Sequence, residues 1–345
     1  MSPQQYLEDE LKKCAWHDLS SQEKKSVKDI GLKNFLFGQI TRKRFRRWKL
    51  PDLARERIDR ALDFCISMQK PLLFRFRFGG YKLWRLESAP EVDWAEFFAL
   101  AHYSEYLAPI IAAHAPGVKL LFMSDDVFVE RLDNVPPSDT EAYYESFKKL
   151  CAAFKRYAPE NFSMEMKRHS ALFNSKEELD GEFDMKMKEL EASWRKKQDP
   201  EKLKNALTTS ALNIKWDGVR DLTKLSDKEK QSMIERSAIM HDALVQLPTI
   251  RSFSDQNPGM ISIFTTPFPS VVAIGTTKTS VAKFWVGSGI LEDRAGRYFD
   301  HIISPSQIEK LRDSTLKEIP IDLIPLKNFS TIKVYGEKID FANNK

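Results

Sequence analysis

Residues 70–134 read KPLLFRFRFGGYKLWRLESAPEVDWAEFFALAHYSEYLAPIIAAHAPGVKLLFMSDDVFVERLDN, and the order of patterns in this stretch decides the fold. From Pro71 to Phe78, Phe74, Phe76 and Phe78 alternate with Arg75 and Arg77. That period of two is the mark of a half-buried strand. The Gly79-Gly80 break delivers Tyr81, Lys82 and Arg85. A helix is predicted from Val92, apolar around most of its circumference, which requires burial against a sheet. Asp93 and Glu96 sit in its first turn, where carboxylates suit the helix dipole, and Pro109 is expected to kink it. After Pro116-Gly117 a second apolar run, Val118 to Met123, stops at Ser124-Asp125-Asp126. Strand, basic loop, helix, strand and acidic loop make a βαβ unit. Open α/β sheets bind ligands at the carboxyl ends of their strands, so both polar loops would face one crevice.

Outward from this unit the chain is helical on the N-terminal side. Ser21 starts one helix, and Asp52, after Pro51, is expected to cap another over Leu53–Met68, with Leu53, Ile58, Leu62 and Ile66 on one side. Between them RKRFRRWK (42–49) sets six cations around Phe45 and Trp48. It reads either as an anion or nucleic-acid site or as an amphipathic element whose cations snorkel. On the C-terminal side, Arg131 and Asn134 follow the acidic loop. Ser138 is expected to cap a helix over Glu141–Tyr157, with Glu141 in the capping-box position. Residues 174–206 are rich in Glu and Lys and predict solvent-facing helices broken near Asp199-Pro200. Trp216-Asp217-Gly218 reads as a turn, and Ser226 starts a helix running through His241 to Val245. The last third alternates short β-branched runs with turn residues: Ile261–Thr265, Val271–Ile274 and Val281–Val286, partly as antiparallel hairpins. Ile319–Ile324 and Ile332–Tyr335 are candidates for edge strands.

The predicted class is therefore α/β, a Rossmann-like sheet with flanking helices, a helical insertion and a mixed-strand C-terminal part. Its expected divisions are an N-terminal helical segment (1–69), a first core part (70–170), a charged helical insertion (171–245) and strands completing the core (246–345). A hydrophobic fraction of 42% with 23 Phe and 7 Trp supplies an ample core, which excludes global disorder. The net charge of +5 does not by itself imply nucleic acid, and no nucleic-acid partner is expected from it. Three scattered cysteines, Cys14, Cys65 and Cys151, point to reduced thiols. The N-terminus lacks an apolar signal-type core, and no run of about 18 apolar residues predicts a membrane span, so a cytoplasmic location is expected.

P-loop, GxGxxG, HExxH, CxxC and GxSxG patterns are absent, so the chemistry must come from less formulaic residues. Lys82, just past a glycine pair, could receive a phosphate or carboxylate, act as a base or form a Schiff base; it could equally be a surface lysine. Asp125-Asp126 at a strand end could bind a divalent ion or orient a substrate hydroxyl or amine; a capped turn reads the same way. Arg251 with Asp255, and Lys278 with Lys283, would complete the crevice from the C-terminal part, unless they are ordinary strand-flanking charges. His102 and His114 are read as packed or surface residues, since no metal-type partner stands at the right spacing.

In order, these features resemble the pyoverdine/dityrosine biosynthesis family, the isocyanide synthases. The resemblance rests on the strand leading to Lys82, Ser88-Ala89-Pro90 with Asp93 and Ala95-Glu96, the Ala115-Pro116-Gly117-Val118 turn, and the strand closing in Ser124-Asp125-Asp126. It continues with Tyr143 and Phe147, then Ile250-Arg251 as the Arg-bearing strand, and Thr266-Pro267-Phe268 before Ser270-Val271-Val272. It covers roughly residues 70–160 and 247–275. The chain departs from the family pattern in carrying Asp255 and Pro269 where histidines stand, and in lacking a glycine after the acidic residue of the second strand. The resemblance implies a biosynthetic enzyme of secondary metabolism joining an amino-acid amine to the ketone of a pentulose phosphate, without metal or cofactor. It also implies an iron/2-oxoglutarate oxygenase in the same pathway. Lys82, Asp125 and Asp126 would be catalytic, and Arg85, Arg131, Arg251, Thr266 and Lys283 would bind substrate. Two other readings stand beside it: a divalent-metal-dependent sugar or phosphoryl transferase using Asp125-Asp126, and a non-catalytic nucleic-acid or anion-binding protein using residues 42–49.

Overall fold

A computed structural model describes residues 1–15, 17–132, 135–197, 199–217, 222–278, 282–311 and 316–336. Asn134, Gly218 and Val281, on which three of the expectations above fall, lie outside the described residues, while Trp216 and Asp217, expected in a turn, close the helix Pro200–Asp217 instead.

Three helices lead in: α1 (Pro3–Leu11), α2 (Ser21–Ile40) and α3 (Asp52–Ser67). The βαβ unit then forms as expected. β1 spans Leu72–Phe78, α4 Trp94–Ala113 and β2 Val118–Ser124, and the two strands pair in parallel with Phe76 opposite Phe122 and Phe78 opposite Ser124. Phe74, Phe76 and Phe78 are buried while Arg75 and Arg77 take the other face. Phe76 packs on Tyr103 of α4 at 5.3 Å between ring centroids and on Phe122 at 5.8 Å, which fastens the helix to the sheet. Such aromatic pairs add about 0.5–1.5 kcal/mol beyond the area they bury. α4 opens with a capping box. The Asp93 side chain accepts from the Ala95 amide at 2.7 Å, and Glu96 accepts from the Asp93 amide at 2.9 Å.

The chain continues through α5 (Asp126–Leu132), α6 (Pro137–Lys155) and β3 (Phe162–Arg168). Then come α7 (Lys176–Lys197), α8 (Pro200–Asp217), α9 (Asp227–Gln246) and α10 (Pro248–Asp255), and the sheet is completed by β4 (Met260–Phe264) and β5 (Val272–Ala273). All five strands are parallel, in the order β3-β2-β1-β4-β5. A second sheet holds β6 (Ser288–Arg294), β7 (Arg297–Ile303), β8 (Leu316–Pro320) and β9 (Thr331–Tyr335), in the order β7-β6-β9-β8, with α11 (Pro305–Leu311) after β7. β6 pairs antiparallel with β7 and parallel with β9. This sheet closes on α4, where the Trp94 indole N–H donates to the Thr331 carbonyl at 2.7 Å. Among the described residues no helix is long and apolar enough to cross a membrane.

Several local expectations change. Asp52 is the first helical residue and Pro51 the cap, with no side-chain cap bond, and Leu53 is 39% exposed. α6 begins at Pro137, four residues before Glu141, because a proline at the first helical position presets the backbone there. α7 is not simply solvent-facing. Leu179, Phe183, Leu190 and Trp194 recur at helical spacing and are buried. The break at Asp199-Pro200 is where it was expected, with the Asp199 carboxylate accepting from the Glu201 amide at 2.9 Å. Ile250-Arg251 lies on helix α10, not on a strand. Phe284–Val286 is a 3-10 turn rather than a strand, because the Lys82 ammonium binds the carbonyls of Phe284 and Gly287 at 2.9 and 2.8 Å and draws them away from any ladder. β9 lies inside its sheet, with Ile332 and Val334 buried, whereas an edge was expected.

Candidate active site

The connections β1 to β2 to β3 run to one side of β1, and β4 and β5 lie on the other. That reversal leaves a crevice outside the carboxyl ends of β1, β2 and β4, the place where open α/β sheets hold ligands. Gly79 and Gly80 let β1 exit against its neighbours. A Cβ on Gly80 would stand 1.9 Å from the Ser124 hydroxyl, and one on Gly79 2.8 Å from the Trp285 ring. With φ +78° at Gly80, the pair serves close packing and a left-handed turn.

Asp125 stands at the end of β2, its amide donating to the Phe78 carbonyl at 2.8 Å. Its carboxylate faces Arg77 Nη2 at 3.4 Å and His169 Nδ1 at 2.8 Å. His169 follows β3 and is itself buried, anchored by its amide to the Ser124 carbonyl at 3.0 Å. Burial opposes ionisation of Asp125, but Arg77 first and His169 second outweigh it and hold the carboxyl well below the usual range. A fixed negative charge therefore persists at the head of the crevice.

Two further groups come from distant parts of the chain. His241 of α9 meets the Phe128 ring edge-on, centroids 5.5 Å apart, and remains open to solvent. The surrounding protein and then Arg77 press its pKa below the ordinary imidazole value, so the ring is neutral near pH 7. Lys283 is half-buried, its Nζ 5.8 Å from the Phe264 ring centroid and 5.5 Å from that of Trp285. Burial lowers its pKa, against the pull of Asp125. Among the described residues its ammonium meets no hydrogen-bond or ion-pair partner.

The residues singled out from sequence divide sharply. Asp125 and Lys283 come within electrostatic reach of one another. Lys82 does not line the cleft. It is 1% exposed, and its ammonium is enclosed by Glu96 at 2.8 Å, Asp93 at 3.2 Å and the two carbonyls already named. Asp126 is buried and committed to the hydroxyl and amide of Ser170, so the two adjacent carboxylates do not share a ligand position. Arg131 pairs with Asp180 and stacks on Phe183. Arg85 is exposed, as are Arg251 and Asp255 on α10, while Lys278 pairs with Glu105 at 3.2 Å. Thr266 is half-buried in the bend after β4. Among the described residues no group of three or more His, Cys, Asp or Glu side chains is placed to hold a metal. The basic stretch 42–49 is largely spent on the fold. Arg42 binds the Tyr106 carbonyl at 2.6 Å, Arg44 pairs with Glu105, and Arg47 binds the Thr277 carbonyl at 2.9 Å; Phe45 is buried. Trp48 stays exposed.

Sequence reasoning passed over Arg77, His169 and His241. Arg77 was legible only as the polar half of a strand pattern. His169 follows a strand, FSMEMKR, whose alternation is blurred by Met, Lys and Glu. Aligning the ends of β2 and β3 would have found it, since Ser124 pairs with Arg168. Nothing local marks His241.

The architecture defines an α/β protein with a five-stranded parallel sheet, a helical insert and a mixed second sheet. No family model and no curated protein matches the chain. A solved structure does: the PvcA protein from Pseudomonas aeruginosa is similar in fold, with a TM-score of 0.65 over 88% of this chain and 100% of that one, at 13% identity.

Proposed function

We propose that the chain is a small-molecule biosynthetic enzyme of the isocyanide-synthase type, with its active site in the crevice at the ends of β1, β2 and β4. The observation that carries this reading is ionised Asp125 paired with the Arg77 guanidinium at 3.4 Å, with the His241 imidazole and the Lys283 amine, which has no hydrogen-bond or ion-pair partner among the described residues, within its electrostatic reach. Asp125 would receive the ammonium of an amino acid, and His241 would take its proton so that the amine can attack. Arg77 would hold the phosphate or carboxylate, as planar guanidinium groups do well. Lys283 would meet the carbonyl end of a sugar phosphate.

Two likenesses support the reading: the ordered motifs shared with the isocyanide-synthase family and the whole-fold similarity to PvcA. The family positions occupied here by Asp255 and Pro269 are exposed, and the imidazoles of this cleft come from α9 and the end of β3 instead. Lys82, paired with Glu96, would hold the loop after β1 against α4 and position the site from behind. An iron/2-oxoglutarate oxygenase acting on the product would complete the pathway.

The test is a thermal-shift titration with ribulose 5-phosphate and with aromatic amino acids. Ligand at 100 times its Kd stabilises by about 2.7 kcal/mol. Stabilisation by both ligand types, lost in Asp125→Asn for the amino acid and in Arg77→Gln for the sugar phosphate, is expected. Absence of any response to either class in the parent protein would overturn the reading.

A further inference from the structure

The strand-loop lysine that sequence suggested for carbonyl chemistry, Lys82, is locked in a buried ion pair, whereas a second lysine has the surroundings that chemistry requires. Lys283 sits over two aromatic faces, Phe264 and Trp285, whose rings lie 6.1 Å apart at 30°. Aromatic faces hold the side chain in place without a hydrogen bond or ion pair that would have to break before the nitrogen reacts, while burial favours the neutral amine over the attraction of the rings for the cation. No carboxylate is bonded to it among the described residues, and Asp125 acts on it only at longer range.

Resting on the proposed function above, we propose that Lys283 is a covalent catalyst: its amine adds to the carbonyl carbon of the sugar phosphate and holds it as an imine. In the first step the lone pair of the neutral Nζ amine forms a C–N bond, the carbonyl π pair moves to oxygen, oxygen takes a proton from water, and Nζ gives up a proton to His241, giving a neutral carbinolamine. The C–O bond then breaks, water leaves with a second proton, and nitrogen carries the positive charge of a protonated imine. No oxidant or reductant is involved. His241, neutral and open to solvent, is the group able to accept the proton from Nζ and return it to the departing oxygen. Asp125, fixed as a carboxylate by Arg77 and His169, opposes the new cationic charge across the cleft.

The benefit is electrophilicity. A protonated imine is attacked by an amine far more readily than a ketone is. The amino-acid amine then displaces Lys283 by exchange: its nitrogen forms the new C–N bond, the bond to Nζ breaks, and the lysine amine is regenerated. Joining amine to ketone would thus proceed in two exchanges at one carbon. The desolvated setting of Lys283 supports this role, because burial lowers its pKa and raises the fraction of free amine.

The experiment uses the full-length protein with ribulose 5-phosphate, and separately with glyoxylate as a minimal carbonyl probe, each reduced with sodium borohydride and followed by intact mass and peptide mapping. The expected result is one adduct per chain on the peptide holding Lys283, with the mass of the carbonyl compound after loss of water and gain of two hydrogens. It should be at least tenfold above any other lysine peptide and absent from Lys283→Met. Lys283→Arg, which keeps the cation over the two rings, should still bind ribulose 5-phosphate in the thermal-shift assay while forming no adduct. Adducts spread evenly over the lysines, or none with either probe, would overturn the covalent role. Failure of ribulose 5-phosphate to bind at all, with glyoxylate still trapped selectively on Lys283, would instead overturn the substrate reading and leave the nucleophile in place.

Discussion

Replacing Lys82 by methionine separates a structural lysine from a catalytic one. The substitution keeps most of the side-chain volume and removes the ammonium from a site where it meets Glu96 at 2.8 Å, Asp93 at 3.2 Å and two backbone carbonyls. Both carboxylates are almost wholly buried, at 0% and 5% exposure, so they would lose their cation with no water to replace it. Breaking a buried ion pair from one side costs about 3–5 kcal/mol. Part of that is relieved by protonation. Burial already pushes the Glu96 carboxyl up to about 7, with Lys82 pulling down and Asp93 adding to the rise. Without Lys82 the carboxyl moves higher still, so above about pH 7, where the parent's Glu96 ionises and the variant's stays neutral, the variant loses about a further 1.4 kcal/mol for each pH unit until its own carboxyl ionises. The loss in Lys82→Met should therefore grow with pH: about 3 kcal/mol at pH 6 and visibly more at pH 8.5, read from urea unfolding midpoints at the two pH values. Glu96→Gln added to the variant should recover part of the loss and flatten its pH dependence. A Lys82→Met protein as stable as the parent at both pH values would refute this account. If it had also lost its response to ribulose 5-phosphate, Lys82 would belong to the reaction.

Other outcomes follow from the same geometry. Gly80→Ala forces a Cβ to within 1.9 Å of the Ser124 hydroxyl at φ +78°, so it should destabilise by at least about 1–2 kcal/mol, with Ser124→Gly in the same chain recovering the steric part. Phe76→Ala, at the meeting of α4 and the sheet, should cost about 3–5 kcal/mol in chemical denaturation. Two groups shape the acid limb of stability. His241 has a depressed pKa, so below about 6.5 the unfolded chain takes up a proton that the folded one refuses, and stability falls as pH drops; His241→Gln should reduce that slope. Asp125 also has a depressed pKa, so its stabilisation is present above about 3.9 and is lost as pH falls below; Asp125→Asn should flatten the curve there.

Much of the frame was legible because it follows from local backbone geometry. The Phe/Arg alternation of β1, the all-round apolar α4 and the apolar run of β2 each bury in only one way, and their order admits the parallel pairing observed. The helix start at Ser226 and the break at Asp199-Pro200 are equally local, since each is set by residues within one turn of the helix it bounds. β3 was missed because a strand with one thinly covered face loses its alternation. Phe284–Val286 was misread because the Lys82 ammonium, two hundred residues earlier in the chain, claims its carbonyls.

The βαβ frame, the helical insert and the acidic turn at Asp125 are thus set by periodicity, caps and turn residues within a few positions of one another. Which charges are enclosed and which stay accessible depends on contacts between distant parts of the chain. A lysine after two glycines looks the same whether it faces a cleft or, like Lys82, is enclosed by Glu96 and Asp93. Asp125 gains Arg77, His169 and His241 only when the ends of β1, β2 and β3 and helix α9 are brought together. Burial and through-space charge set those side chains' protonation, and neither is a property of neighbouring positions in the chain.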